Sequence, residues 1–278
     1  MKAHLNFWIT LFTSFLPLSL VAGESVNQSL DTKDIEKVEI SVVRGEVTVQ
    51  GNTSSTVQVR GELDDALKTF IFEKRDNRLV IKVELKKNSD RYGKGSKLTI
   101  SMPEALALAY NGVSTYLKVN NIKNDTKINS VSDQLELENI ISPEFKLANV
   151  SGNIALKNSK IAHAKISTVS GDGNFELGQW KKLNLSSVSG DVLITGNVSG
   201  DESSKISSVS GDIELSLAPE SNVKMLLNSG PSGTIDNQLS RDARFTRKTG
   251  KSVELVMGEG DAKLKGSTVS GHLKLSRL

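Results

Sequence analysis

A short pattern that returns at a nearly constant spacing limits this chain to few folds. Val150-Ser151-Gly152-Asn153-Ile154-Ala155-Leu156 recurs as Val188-Ser189-Gly190-Asp191-Val192-Leu193-Ile194, as Val209-Ser210-Gly211-Asp212-Ile213-Glu214-Leu215 and as Val269-Ser270-Gly271-His272-Leu273-Lys274-Leu275. Val169-Ser170-Gly171-Asp172 reads as a copy with two extra residues before Phe175. Val113 to Leu117 and Val131 to Leu135 are degenerate earlier copies. Counted from Val113, the intervals are 18, 19, 19, 19 and 21 residues. Ser232-Gly233-Thr234-Ile235 fits a further copy, since Ser232 to Ser270 is 38 residues, twice 19. A period this short excludes propeller blades and helical-hairpin repeats.

Within a copy the apolar positions alternate, which is the mark of a half-buried strand. Read straight through, Val188, Gly190, Val192 and Ile194 face inward, while Ser189, Asp191 and Leu193 face outward. Leu183 and Leu185 have the opposite parity to Val188, so the chain must turn near Ser186-Ser187, and likewise near Ser167-Thr168 and Ser207-Ser208. Each period then reads as strand, corner, strand, return. Such units stack into an all-β fold, a parallel β-helix or β-solenoid with coils of about 19 residues and irregular caps. A meander of antiparallel hairpins is the alternative, but hairpins do not require so constant a full-period spacing. The motif glycines Gly152, Gly171, Gly190, Gly211 and Gly271 imply a backbone demand, either a positive φ or a bend too tight for a Cβ. Gly196, outside the motif, is expected to be more forgiving.

Three regions follow. Residues 1–23 carry Lys2, an apolar run from Leu5 to Leu20 and the small residues Val21-Ala22-Gly23, the order of a cleaved secretory signal. Residues 24–112 contain strand-like segments, one divergent motif copy at Val43 to Val49 and insertions around Asp64 to Phe72 and Lys86 to Gly95. They read as an N-terminal cap with the first irregular coils. Residues 113–278 hold the regular repeats and a C-terminal cap. Helix is expected only as short pieces near Glu104 to Leu108 and Asp64 to Phe70.

Few residues of the chain point to chemistry. The formal charge is +3, or +2 once Lys2 is removed, with no basic block, so nucleic acid is not an expected partner. With no cysteine the fold has no disulfides. His163 and His272 lie in different coils, so no zinc site, and no other metal or cofactor, is expected. No nucleophile elbow or phosphate-binding loop occurs. One outward column has chemical interest: Asp172, Asp191 and Asp212, preceded by Gln134 and Asn153 and followed by His272. It reads either as a cation ridge or acid pair, or, preferred here, as acceptors of local backbone hydrogen bonds at a bend. Trp180, beside Lys181 and Lys182, is the one ring expected to be exposed as a sugar platform.

The V-S-G-D repeats anchored on Val150, Val169, Val188, Val209 and Val269, followed by Gly258-Glu259-Gly260-Asp261, resemble a bacterial putative-adhesin family of unknown function. The resemblance runs from Val38 to Leu275 and departs from the pattern at His272. It implies a right-handed β-helix on the exported side of the membrane, in the periplasm, at the cell surface or outside, with no established activity and no site residues to carry over. The expected function is therefore a non-enzymatic envelope protein that binds a protein or glycan of the envelope, with no transmembrane segment after signal removal. A β-helix polysaccharide-active enzyme and a self-assembling envelope polymer are the alternatives, and self-association is compatible with all three.

Overall fold

Alternating burial fits backbone that pairs on both sides, and pairing runs nearly the length of the chain. The computed structural model describes residues 24–87, 93–239, 244–249 and 251–278. Its strands join into one nearly closed, solenoid-like sheet of mostly parallel pairings, with no helix among the described residues. The expected export signal, residues 1–23, and residues 88–92 of the charged loop lie outside that description. Among the described residues no helix is long and apolar enough to cross a membrane. The helical pieces expected near Glu104 and Asp64 are not formed. Leu67–Arg75 is a strand held antiparallel to Arg78–Leu85, and residues 104–106 make the turn into the strand Ala107–Asn120. Ladder pairing outweighs the weak helical preference of a few residues.

Two walls carry the core. On the first, Ile128, Leu147, Ile166, Leu185 and Ile206 lie side by side in successive parallel strands. On the second, Leu135, Ile154, Gly173, Val192, Ile213 and Leu273 do the same. The aliphatic members are all buried, each stabilising by about 1.5–3 kcal/mol if fully withdrawn from water. Gly173 pairs with Val192 and Phe175 with Ile194, so the Phe175 copy contains no extra residues. The Phe175 ring instead fills the space above Gly173, where a Cβ would come within 2.4 Å of it.

The corner between the walls differs from its sequence expectation by one residue. Leu183, Leu185 and Ser187 are all buried, and the outward alternation continues to Val188, which is 46% exposed. The chain bends after Val188, at Ser189-Gly190-Asp191, where Gly190 has φ +101°. Val192 and Ile194 then face inward, as expected, and Asp191 faces out. Val150, Val169, Val209 and Val269 are exposed in the same way. The inward position before each valine is instead filled by a small polar residue: Ser130, Asn149, Thr168, Ser187, Ser208 or Thr268.

The strands are not stacked in chain order at either end. Ser203–Ser208 pairs with Ala262–Thr268, which in turn pairs with Val223–Ser229. The last coil of the chain is thus inserted between two coils that precede it, and Thr234–Asn237 lies outside His272–Arg277. Between them in sequence runs an antiparallel hairpin, Arg244–Thr249 with Ser252–Met257, which adds to the outer side of Val223–Ser229. The N-terminal end mirrors this. Lys37–Asn52 sits between Ala107–Asn120 on one side and Arg78–Leu85 with Ser96–Pro103 on the other. Thr56–Glu62 and Ser25–Asp31 then add antiparallel strands at that end. Antiparallel reversal at both ends covers edges that would otherwise template another chain.

Candidate functional site

Because the register is kept from coil to coil, each outward position becomes a straight row with a step of about 4.8 Å. The corner row is valine throughout. It runs from Val43 through Val113, Val131, Val150, Val169, Val188 and Val209 to Val269, each 36–53% exposed. Eight such side chains form an apolar ridge about 34 Å long at the strand spacing. It stops where Gly230, whose N–H donates to Thr268, occupies the valine's place. Beside it the serine row is tied to the backbone: Ser170 and Ser189 hydroxyls donate to the carbonyls of Val150 and Val169 at 3.3 and 3.2 Å.

Three residues after the valines stands the acidic row. Asn153 Oδ1 accepts the N–H of Asp172 at 3.1 Å, Asp172 that of Asp191 at 2.9 Å, and Asp191 that of Asp212 at 2.9 Å. Asp212 closes the series by accepting both the backbone N–H and the ring Nδ1 contact of His272, at 2.8 and 2.9 Å. These bonds hold the Asp212 carboxyl below its usual range. The acceptor role preferred from sequence is therefore present, but each bond runs to the next coil and not within its own bend. Among the described residues no group of His, Cys, Asp and Glu is arranged to hold a metal ion.

Four residues before the valines the outward row is basic: Lys127, Lys146, Lys165, Lys205 and Lys265 occupy one register column, interrupted by Asn184. Lys146 approaches Glu144 at 3.8 Å, while the other four form no ion pair within the described residues. Between the lysines and the valines lie small residues, Asn129, Ala148, Ser167, Ser186 and Ser207. The two rows that flank the valine ridge thus carry opposite charge.

Sequence reasoning missed one cluster. His163 Nδ1 lies 2.9 Å from Glu144 Oε1 and Nε2 lies 2.8 Å from Glu202 Oε1, with Lys182 3.7 Å from Glu202. The Glu202 bond, and then that of Glu144, holds the imidazole above its ordinary range despite partial burial. Both ring nitrogens are engaged, so the cluster clips separate coils together and leaves neither nitrogen for a substrate. Its signal lay in the 19-residue step from Glu144 to His163. Trp180, expected as an exposed platform, is fully buried. A register shift between Glu176 and Gly178 turns it inward, and its ring lies under Gly196.

The motif glycines take distinct conformations. Gly152, Gly171, Gly190 and Gly211 have φ between +101° and +115°, and a Cβ on any of them would fall 2.0–2.4 Å from a carbonyl oxygen of the preceding coil. Gly271 escapes the positive φ but would still place a Cβ 2.0 Å from the Gly211 oxygen. In the degenerate copies Thr115 and Asp133 stand in the glycine's place. There the buried Asp133 carboxylate accepts the Thr115 N–H at 2.6 Å, and Thr115 Oγ1 meets the Tyr110 hydroxyl at 2.6 Å. Burial is the main reason the Tyr110 phenol is raised above its usual range.

These rows are borne by an all-β, repetitive sheet of mostly parallel strands. The chain belongs to the Toastrack DUF4097 family, whose sequence model matches residues 35–276. Solved structures similar to it include a "putative adhesin" from Parabacteroides merdae ATCC 43184, 13% identical, covering 91% of this chain and 96% of that one at a TM-score of 0.48. A "putative adhesin" from Bacteroides fragilis NCTC 9343 is 16% identical over 91% and 97% of the two chains, TM-score 0.43. A "putative lipid binding protein" from Parabacteroides distasonis ATCC 8503 is 14% identical over 91% and 97%, TM-score 0.49. No curated protein matches the chain.

Proposed function

We propose that this is an exported, non-enzymatic envelope or surface protein that binds a protein or glycan of the envelope through the lateral walls of a right-handed β-solenoid. The right hand follows from the strong preference of parallel crossover connections. One observation carries the reading: outward side chains of one kind recur level after level, as in the lysine and aspartate rows, and do not converge on a point. Rows suit an extended or repeating ligand, whereas acid–base chemistry requires groups gathered around one reacting atom. Each level adds a weak contact, and many levels engaged together give useful avidity.

The experiment is fractionation of the producing cell followed by a sedimentation assay. The protein is expected in the envelope fraction or medium with residues 1–23 removed, and the purified protein is expected to sediment with isolated envelopes without releasing reducing sugar. Retention in the cytosol at full length would defeat the export reading. Release of sugar ends from envelope polysaccharide would defeat the non-enzymatic one.

A further inference from the structure

We propose that the chain pairs with a second copy of itself along the valine ridge, with the two stacking axes parallel. The ridge sets the first condition. A row of branched side chains repeating at about 4.8 Å meshes best with another row of the same period, and another β-stack with an exposed aliphatic row supplies one. The chain itself carries such a row.

Charge sets the second condition and fixes the orientation. Lys165, Lys205 and Lys265 lie on one side of the ridge, about 13 Å along the strand from it. Asp172, Asp191 and Asp212 lie on the other side, three residues past the ridge beyond the glycine bend and on overlapping levels. The carboxylates of Asp172 and Asp191 use Oδ1 in the inter-coil ladder and make no other side-chain hydrogen bond among the described residues. A two-fold axis parallel to the stack exchanges left for right while keeping levels matched. Lysines of each copy then oppose aspartates of the other on both flanks of the ridge. A two-fold perpendicular to the stack would oppose lysine with lysine and aspartate with aspartate. An apolar row between a basic and an acidic row is therefore self-complementary in one orientation. An anionic bilayer fits less well, because an acidic row flanks the ridge on one side and would be repelled by it.

Self-association is independent of what the walls bind, and it is measured without any ligand. Sedimentation equilibrium of the purified protein should show a reversible dimer that weakens as salt is raised. The double variant Val150→Asp, Val188→Asp should keep the wild-type circular dichroism, since both side chains are exposed, and lose association by at least about 100-fold, because pairing would bury unpartnered carboxylates. Charge swaps test orientation: the double variant Lys165→Glu, Lys205→Glu, and the quadruple variant that adds Asp172→Lys and Asp212→Lys. The double variant should be monomeric, and the quadruple variant should dimerise with itself but not with the wild type. A wild-type monomer at every loading concentration overturns the proposal, as does a valine double variant that still dimerises. A monomer that sediments with phosphatidylglycerol vesicles, and loses that ability in the valine variant, assigns the ridge to a bilayer instead. A folded quadruple variant that pairs with the wild type and not with itself overturns the parallel orientation.

Discussion

Oδ1 of Asp191 accepts the backbone N–H of Asp212 at 2.9 Å, and Oδ1 of Asp172 accepts the N–H of Asp191 at the same distance. Each carboxylate thus serves the backbone of the coil above. Asp191→Asn keeps an acceptor and should leave the melting temperature unchanged, whereas Asp191→Ala should cost about 0.5–1 kcal/mol. Thermal melts with calcium and with chelator should coincide. A calcium-dependent rise in Tm that Asp191→Asn abolishes would make the row a cation site.

The glycine substitutions give a result that the sequence does not suggest. Gly190→Ala forces a Cβ to within 2.4 Å of the Gly171 oxygen at φ +101°. Gly196, expected to be forgiving, is in the same position: φ is +147°, and its Cβ would lie 2.3 Å from the Gly178 oxygen and 2.7 Å from the Trp180 ring. Both alanine variants should lose more than about 1 kcal/mol in chemical denaturation. A Gly196→Ala protein as stable as wild type would show that the bulge relaxes freely.

Exposure of the valine ridge, which straight alternation places inside, decides where a charge can be inserted. Val209 is 48% exposed, so Val209→Asp should fold with a change of about 0.5 kcal/mol or less. Ile213, four residues later and 1% exposed, should not tolerate Ile213→Asp, which buries an unpaired carboxylate. Comparable damage from the two would place Val209 inside.

The repeat made the strand content, the inward Val192, Ile194, Ile213 and Leu215, and the outward Asp191 and Asp212 legible before any coordinates. The valine side was not legible, because parity was carried straight through Gly190, and a bend with positive φ resets it. The missed clue was Ser187, Ser208, Thr168 and Thr268, small hydroxyl residues always just before the valine, where polarity disguises burial. Trp180 was misplaced for a related reason: an irregularity at Gly178 shifts the alternation that Leu177 starts. The inserted last coil could not be read, since nothing local announces a pairing such as Ser207 with Ser267.

Two ionisable clusters give stability opposite slopes with pH. Asp64 is fully buried and bound by Arg44 through two bonds, and that pair holds its carboxyl below the ordinary value of 3.8. A lowered folded pKa means stability present above the unfolded value and lost as pH falls through the folded one. His163, raised above 6.5 by Glu202 and Glu144, contributes stability below its unfolded value, which is lost as pH rises through the folded one. Denaturation series across pH should show Asp64→Asn flattening the acid limb and His163→Gln flattening the decline that sets in above the ordinary imidazole value. Unchanged slopes in either variant would contradict the corresponding pair.

All the outward rows depend on the stacking order, so the inserted last coil is the place to test it. The chain has no cysteine, which makes engineered cross-links unambiguous. Ser207 and Ser267 are register partners in adjacent strands, as are Ser267 and Asn228. Ser207 and Asn228 are consequently two strands apart, about 9.6 Å, beyond the reach of a disulfide. Oxidation of the Ser207→Cys, Ser267→Cys protein should give a rapid intramolecular disulfide, read by mass spectrometry of the digest, while Ser207→Cys, Asn228→Cys should give none. A disulfide joining positions 207 and 228, with none joining 207 and 267, would mean that the coils stack in chain order and that the rows described above do not exist at that end.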